Sequence, residues 1–293
     1  MLFPNIRPII LAAALLPLPA IAQAQNSEAA YMRLHLVSDM RTDTQKMARL
    51  ACYIGAGFHT EAQRSLLQEA LTQFESEQQT LKDGNTAMGL APEKNSRILA
   101  AAAELAHIWP VLSARLTAVV NGETLSPSGI AALDRESLTL LEKTDALAKR
   151  IANVNGEALD SLPLIMSLSI DMAGRQVMRT EKAAKEACLI GSGVDAPHNR
   201  QALETTVTVF SATMDALIDG YPGLVVRAPS LEIKSLLENA REIWATPKAA
   251  LVTLYTTGEI SDADRMTIGK GLEEVAAKLR DAAVLYQDIQ IDE

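Results

Sequence analysis

The two cysteines of this chain, Cys52 and Cys188, are the residues whose chemistry is most sharply bounded. With no third cysteine present, they either form one disulfide or remain two free thiols. Each closes the same phrase of sequence. Gln45-Lys46-Met47-Ala48-Arg49-Leu50-Ala51-Cys52-Tyr53-Ile54-Gly55-Ala56-Gly57 reappears as Glu181-Lys182-Ala183-Ala184-Lys185-Glu186-Ala187-Cys188-Leu189-Ile190-Gly191-Ser192-Gly193, 136 residues further on. The register continues through Arg64/Arg200, Leu67/Leu203, Phe74/Phe210, Leu81/Leu217, Asp83/Asp219 and Gly84/Gly220. It slips by one at Trp109/Trp244 and returns at Gly122-Glu123/Gly258-Glu259. So many rare residues in one register mark an internal duplication, and any function has to be read on an object of two units.

Other reactive side chains form no constellation. His35, His59, His107 and His198 share no metal-ligand spacing, and no C-x-x-C-H haem site exists. A G-x-S-x-G nucleophile elbow and a phosphate loop are absent, so an enzyme has no positive support. Ser192, between two glycines, reads as a helix-stop serine. Asp134-Arg135-Glu136 and Asp262-Ala263-Asp264-Arg265 read as acids placed in first helical turns, where the helix dipole favours them. No cofactor is implied.

Composition narrows the partners. The 293 residues carry a net charge of −9 and 4% aromatics, so neither a basic surface nor stacking platforms for nucleic acid are available. Residues 1–24 read as a secretory signal peptide. Arg7 is their only charge, Ile9 to Leu16 is a short apolar run, and Ala20-Ile21-Ala22 and Ala22-Gln23-Ala24 are small-x-small cleavage sites. Pro17 and Pro19 interrupt that run, which makes it a poor membrane span; a retained anchor is the alternative. The expected mature protein is soluble, exported to a bacterial periplasm, and long enough for two cores of about 130 residues each.

The elements that must carry these residues read as helices throughout: 26–57, 60–84, 92–121 and 126–154, then 157–193, 197–219, 229–257 and 261–290. Ala, Leu, Glu, Lys and Gln dominate, and β-branched runs are short. Gly55 and Gly57, like Gly191 and Gly193, stop the first helix of each unit, and Gly84 and Gly220 end the second. Pro197 suits a first turn. Ser126 and Ser261 suit N-caps. Leu133, Leu140, Leu141, Leu147 and Ile151 form a stripe at 3–4 spacing. Short connections favour antiparallel neighbours, so the fold class is all-α, two tandem up-down four-helix bundles at residues 25–155 and 156–293. The fourth and fifth helices either run on through Asn153 to Pro163 or break at Gly156.

One seam of each first helix is rich in small residues. It is Leu34, Ser38, Arg41, Gln45, Ala48, Cys52, Gly55 in the first unit and Ile170, Gly174, Val177, Glu181, Ala184, Cys188, Gly191 in the second. With four helices per unit, the two first helices run parallel. Related by a pseudo-two-fold axis, they bring equivalent residues together. Cys52 then faces Cys188, and in an oxidising compartment the disulfide is favoured over two inherited buried thiols.

The segment Ile170-Asp171-Met172-Ala173-Gly174-Arg175-Gln176-Val177-Met178-Arg179-Thr180-Glu181-Lys182-Ala183-Ala184-Lys185 resembles the first helix of periplasmic domains of the PilJ/NarX type. That family includes the N-terminal domain of type IV pili methyl-accepting chemotaxis transducers and the sensor domain of nitrate/nitrite histidine kinases. Ala173-Gly174-Arg175-Gln176, Met178 and Ala184-Lys185 match its hallmark. The first unit keeps Arg41, Gln45, Lys46 and Ala48-Arg49. The resemblance implies a four-helix bundle. It also implies a homodimer-like arrangement in which an anion sits between two first helices, held by an arginine from each. The family's anion arginine corresponds to Arg41 in the first unit and to Val177 in the second, with Arg175 and Arg179 close by, so the clamp departs from two-fold symmetry. Val177 is expected to face Arg41, and the alternative for Arg41 is an ordinary solvated helix arginine.

The implied ligand site is therefore Arg41, Gly174, Arg175 and Arg179, for a small anion such as nitrate, nitrite or a carboxylate. The implied protein is an exported sensory or ligand-binding module without output elements, read by a membrane sensor or a transport partner. The rival reading is a structural or protein-interaction module of the envelope with no small ligand.

Overall fold

The computed structural model describes residues 18–288 apart from 59, 157–163 and 224. Eight α-helices fill them: α1 (Leu18–Gly55), α2 (Thr60–Asp83), α3 (Ser96–Val120), α4 (Pro127–Val154), α5 (Leu164–Gly191), α6 (Ala196–Asp219), α7 (Leu231–Thr257) and α8 (Asp262–Asp288). The proposed signal peptide lies mostly outside the described residues, as does the α4–α5 junction. Among the described residues no helix is long and apolar enough to cross a membrane.

Local chemistry sets the helix ends. Ser126 accepts from the Gly129 N–H, with Pro127 opening α4. Ser261 accepts from the Asp264 N–H. Two caps move helix starts inward from their expected places. Asn95 accepts from the N–H groups of Arg97 and Ile98, so α3 begins at Ser96 rather than 92. Ser230 does the same for α7 through the Ile233 N–H. The residues before α3 are held in an extended path. The Glu93 carboxylate accepts from the N–H groups of Lys94 and Asn95 and pairs with the buried Arg33 of α1 at 2.8 Å. Gly84, at φ +75, turns the chain out of α2 so tightly that a Cβ there would lie 2.4 Å from the Leu90 carbonyl oxygen.

In the first unit α1 packs against α2 and α4, and α3 joins α2 to α4. In the second, α5 packs against α6 and α8, with α7 between them. Each ring closes on its own core. Phe74 and Trp109 lie with ring centroids 4.5 Å apart in the first, and their counterparts Phe210 and Trp244 lie 4.2 Å apart in the second. Both tryptophans are core anchors, buried with the indole N–H donated to Glu75 or Ser211.

The two rings meet through α1 and α5, which run parallel and in register. Ser38 faces Gly174 so closely that a Cβ on Gly174 would come within 2.4 Å of the Ser38 Oγ. Cys52 and Cys188 form a disulfide with Cα atoms 6.3 Å apart. Ile130, Leu189 and Val194 pack round it in a small apolar cluster that belongs to both units.

The disulfide closes a loop of 136 residues. Chain entropy limits its contribution to roughly 4–5 kcal/mol. A Cys52→Ser, Cys188→Ser double variant should unfold at distinctly lower urea concentration than the wild type. Mass spectrometry of the unreduced wild type should show the mass short by two hydrogens, with no thiol open to alkylation.

Candidate functional site

The α1–α5 seam gathers charge that neither helix can balance alone. Arg41 leaves the core side of α1 with 3% of its side chain exposed, so it is not a solvated helix arginine. Its Nη1 donates to Asp171 Oδ1 on α5 at 2.6 Å, and its Nε lies 2.6 Å from Asp145 Oδ1 on α4. Arg175 completes the group. Its Nε donates to Asp171 Oδ2 at 2.7 Å, and its Nη1 lies 3.1 Å from Asp145 Oδ1. Two guanidinium groups and two carboxylates thus tie α1, α4 and α5 into one cross-unit network.

Burial would raise the Asp171 carboxyl, but Arg41 and Arg175 outweigh it and hold it below its ordinary value. Burial would likewise lower the Arg175 guanidinium, and Asp171 with Asp145 raises it instead. Each of the two thus favours the charged form of the other across the Asp171–Arg175 pair. One donor is poorly served: Arg41 Nε and Asp145 Oδ1 are buried and, despite their closeness, make no hydrogen bond.

The remaining expected site residues lie near this network with different tasks. Gly174 supplies the close approach to Ser38. Arg179 donates through Nη1 to Gln176 Oε1 at 2.8 Å, and Gln176 donates in turn to the Phe210 carbonyl. Among the described residues no carboxylate pairs with Arg179. Burial and then the neighbouring Arg175 pull its guanidinium down to about 10. Val177 does not face Arg41 as expected. It is buried in the apolar core of the second unit, and Arg41 reaches six residues back along α5, nearly two turns, to Asp171 instead.

Further along the seam, two more buried pairs cross between units. Arg49 on α1 donates to Glu181 on α5 at 2.6 Å, with its guanidinium over the Tyr53 ring. Lys185 on α5 donates to Asp134 on α4 at 2.5 Å, its ammonium pulled down by burial. Asp145, Asp134 and Glu181 were absent from the expected site. The Asp171–Arg175 pair carried a sequence signal, the i,i+4 spacing of opposite charges on a helix. Asp145 carried none, because only the packing of α4 against α1 brings it to the seam.

The pseudo-equivalent side of the seam is acidic. Asp39 and Asp43 stand where the second unit has Arg175 and Arg179. Asp43 is buried, and burial pushes its carboxyl up to about 7; Lys46 at 4.0 Å opposes this, and Asp39 and Glu181 add to it. Burial also pushes Glu77 of α2 up to about 8, against a hydrogen bond donated by Gln73. Asp43 Oδ2 and Glu77 Oε2 have no partner. Among the described residues no group of three or more histidine, cysteine, aspartate or glutamate side chains is placed to hold a metal ion.

Raised carboxyl values fix a sign. In the fold Asp43 and Glu77 hold their protons, whereas in the unfolded chain they have lost them above about pH 5. The stability they contribute is fully present below the unfolded values and falls as pH rises toward about 7 and about 8. Urea unfolding should therefore show a loss of at least ~1 kcal/mol between pH 5 and pH 7.5. The double variant Asp43→Asn, Glu77→Gln should flatten that slope. An unchanged slope would mean that other groups carry it.

Comparison with known proteins agrees with this architecture. No curated protein and no solved structure matches the chain. The family model for the type IV pili methyl-accepting chemotaxis transducer N-terminal domain (PilJ) matches twice, over residues 35–133 and 166–265. Each match runs from the first helix of a unit into its fourth. Together they cover most of the chain, on the two units that the α1–α5 seam joins. Domains of this family are periplasmic and sensory rather than catalytic. With the fold, the seam and the family model in agreement, the chain belongs to the PilJ family and carries its domain in tandem.

Proposed function

We propose that this chain is an exported ligand-recognition module whose sensory site is the α1–α5 seam and whose signal is a small anion, read by a separate membrane sensor or transport partner. The observation that carries this reading is the convergence of Arg41, Arg175 and Arg179 on one stretch of the seam. There they meet two carboxylates, which leaves one guanidinium charge uncompensated. A guanidinium in a partly desolvated place binds nitrate, nitrite or a carboxylate by paired charge-assisted hydrogen bonds. Gly174 lets the helices stand close enough for an anion to touch both. A ligand bound there changes the tie between the two units, and such a change is what a partner can detect.

One observation favours the rival reading, an envelope interaction module without a small ligand: Arg41 and Arg175 are already matched by Asp145 and Asp171. Calorimetric titration separates the two. Nitrate, nitrite and acetate should be titrated into the wild type, Arg41→Ala and Arg179→Gln. On the sensory reading at least one anion binds the wild type, and each variant loses about tenfold or more in affinity, the equivalent of one charge-assisted hydrogen bond. If an anion binds and both variants keep its affinity, the seam is not the site. If nothing binds, the interaction module is the better reading.

A further inference from the structure

The Asp171 carboxylate is held as a bound ligand is held. Each of its oxygens is taken by a different guanidinium, Oδ1 by Arg41 from the facing unit and Oδ2 by Arg175 from its own helix. The two sides of this contact differ in access. Arg41 is 3% exposed, whereas the Asp171 side chain is 39% exposed. The guanidinium is thus part of the walls, and the carboxylate is the face that water can reach. Asp171 also lies on the same helix as Arg175, one turn away, so rotation of its short side chain opens the Arg41 Nη1 and Arg175 Nε donors without moving a backbone, while Asp145 stays beside both groups. Arg41 Nε stays beside Asp145 at 2.6 Å, so the site keeps one anchored guanidinium when Asp171 turns away.

We propose that Asp171 is a tethered ligand: it fills in cis a carboxylate-binding site built by Arg41 and Arg175, and the external ligand of this site is a small carboxylate that exchanges with it. This rests on the seam being the sensory site, and it names the ligand class. An incoming monocarboxylate reproduces the two-oxygen bridge of Asp171 while that side chain swings to solvent. Exchange moves the negative charge that bridges the guanidinium groups off α5. The fixed tie between the units then becomes one that depends on ligand concentration. Removing Asp171 without replacing it leaves the buried Arg41 guanidinium with Asp145 beside Nε but no acceptor at Nη1, which costs more than losing a surface contact. The tether also competes with any free carboxylate, because its effective concentration at the site is in the millimolar range or above.

The test is chemical rescue in the full chain. Asp171→Ala should unfold several degrees below the wild type in chloride. Acetate or formate at the same ionic strength should restore it saturably, and calorimetry should show acetate binding roughly tenfold or more tighter than to the wild type, which still carries the competing tether. Asp171→Asn, which keeps the bulk in place, should be rescued less than Asp171→Ala. Equal stabilisation of Asp171→Ala by acetate and chloride would overturn the proposal, as would equal acetate affinity in variant and wild type. If Asp171→Ala does not fold in chloride, refolding from urea in acetate but not in chloride supports the tether, and refolding in both or in neither refutes it. The outcomes separate this inference from the broader one. Acetate binding by Asp171→Ala with no anion binding by the wild type would make Asp171 a fixed partner that no external carboxylate displaces, which overturns the exchange together with the sensory reading. Nitrate binding by the wild type at an affinity that Asp171→Ala leaves unchanged overturns the tether alone and leaves the sensory reading standing.

Discussion

The parallel, in-register approach of α1 to α5 is the constraint on which the rest of the molecule depends. Two long helices can lie this close only where small residues face one another, as Ser38 and Gly174 do, and the disulfide at Cys52 and Cys188 then fixes which residues lie opposite which. Closeness has a consequence for charge. Arg41, Arg49 and Lys185 are all removed from water at the junction between units, and each must find a carboxylate within reach. The carboxylates come from the opposite unit: Asp171 for Arg41, Glu181 for Arg49, Asp134 for Lys185.

Such pairs contribute little net stability, since desolvation offsets most of their attraction, but breaking one leaves a stranded buried charge that costs about 3–5 kcal/mol. Their effect here is to select. A shift of α5 along α1 by one turn, about 5.4 Å, would separate every pair at once. The apolar cores could not impose this register, because each is closed within its own unit. The seam is thus both the joint between the repeats and the place where an ion entering or leaving would be felt by both.

Duplication within one chain also lets the two halves diverge. A homodimer must present the same residue on both sides of its axis. Here Arg41 corresponds to Val177 in the repeat register, Asp39 to Arg175, and Asp43 to Arg179. One side of the seam has become a network of guanidinium groups and carboxylates. The other holds buried acids with unpartnered oxygens. The seam so divided is electrically directional, which suits recognition of a charged ligand on one side only. The aromatic anchors Phe74–Trp109 and Phe210–Trp244 stayed alike in both units, as expected for groups whose task is only to fill a core.

Much of this was legible in the residues alone. The repeat register, the eight helices and the meeting of Cys52 with Cys188 follow from periodicity, punctuation and symmetry, because helix formation is local and a duplicated helix keeps its face. Helix starts depart from the periodicity where a side-chain cap sets them, as at Asn95, with nearby Glu93 held away from the helix by Arg33. What only the tertiary structure decided is the partner of each buried charge. The spacing of Asp171 and Arg175 was visible on one helix, but the reach of Arg41 past Val177 to Asp171, and the arrival of Asp145 from α4, depend on where three helices lie relative to one another. A long side chain can meet any of several residues within its radius. Sequence specifies the radius, and packing selects the partner.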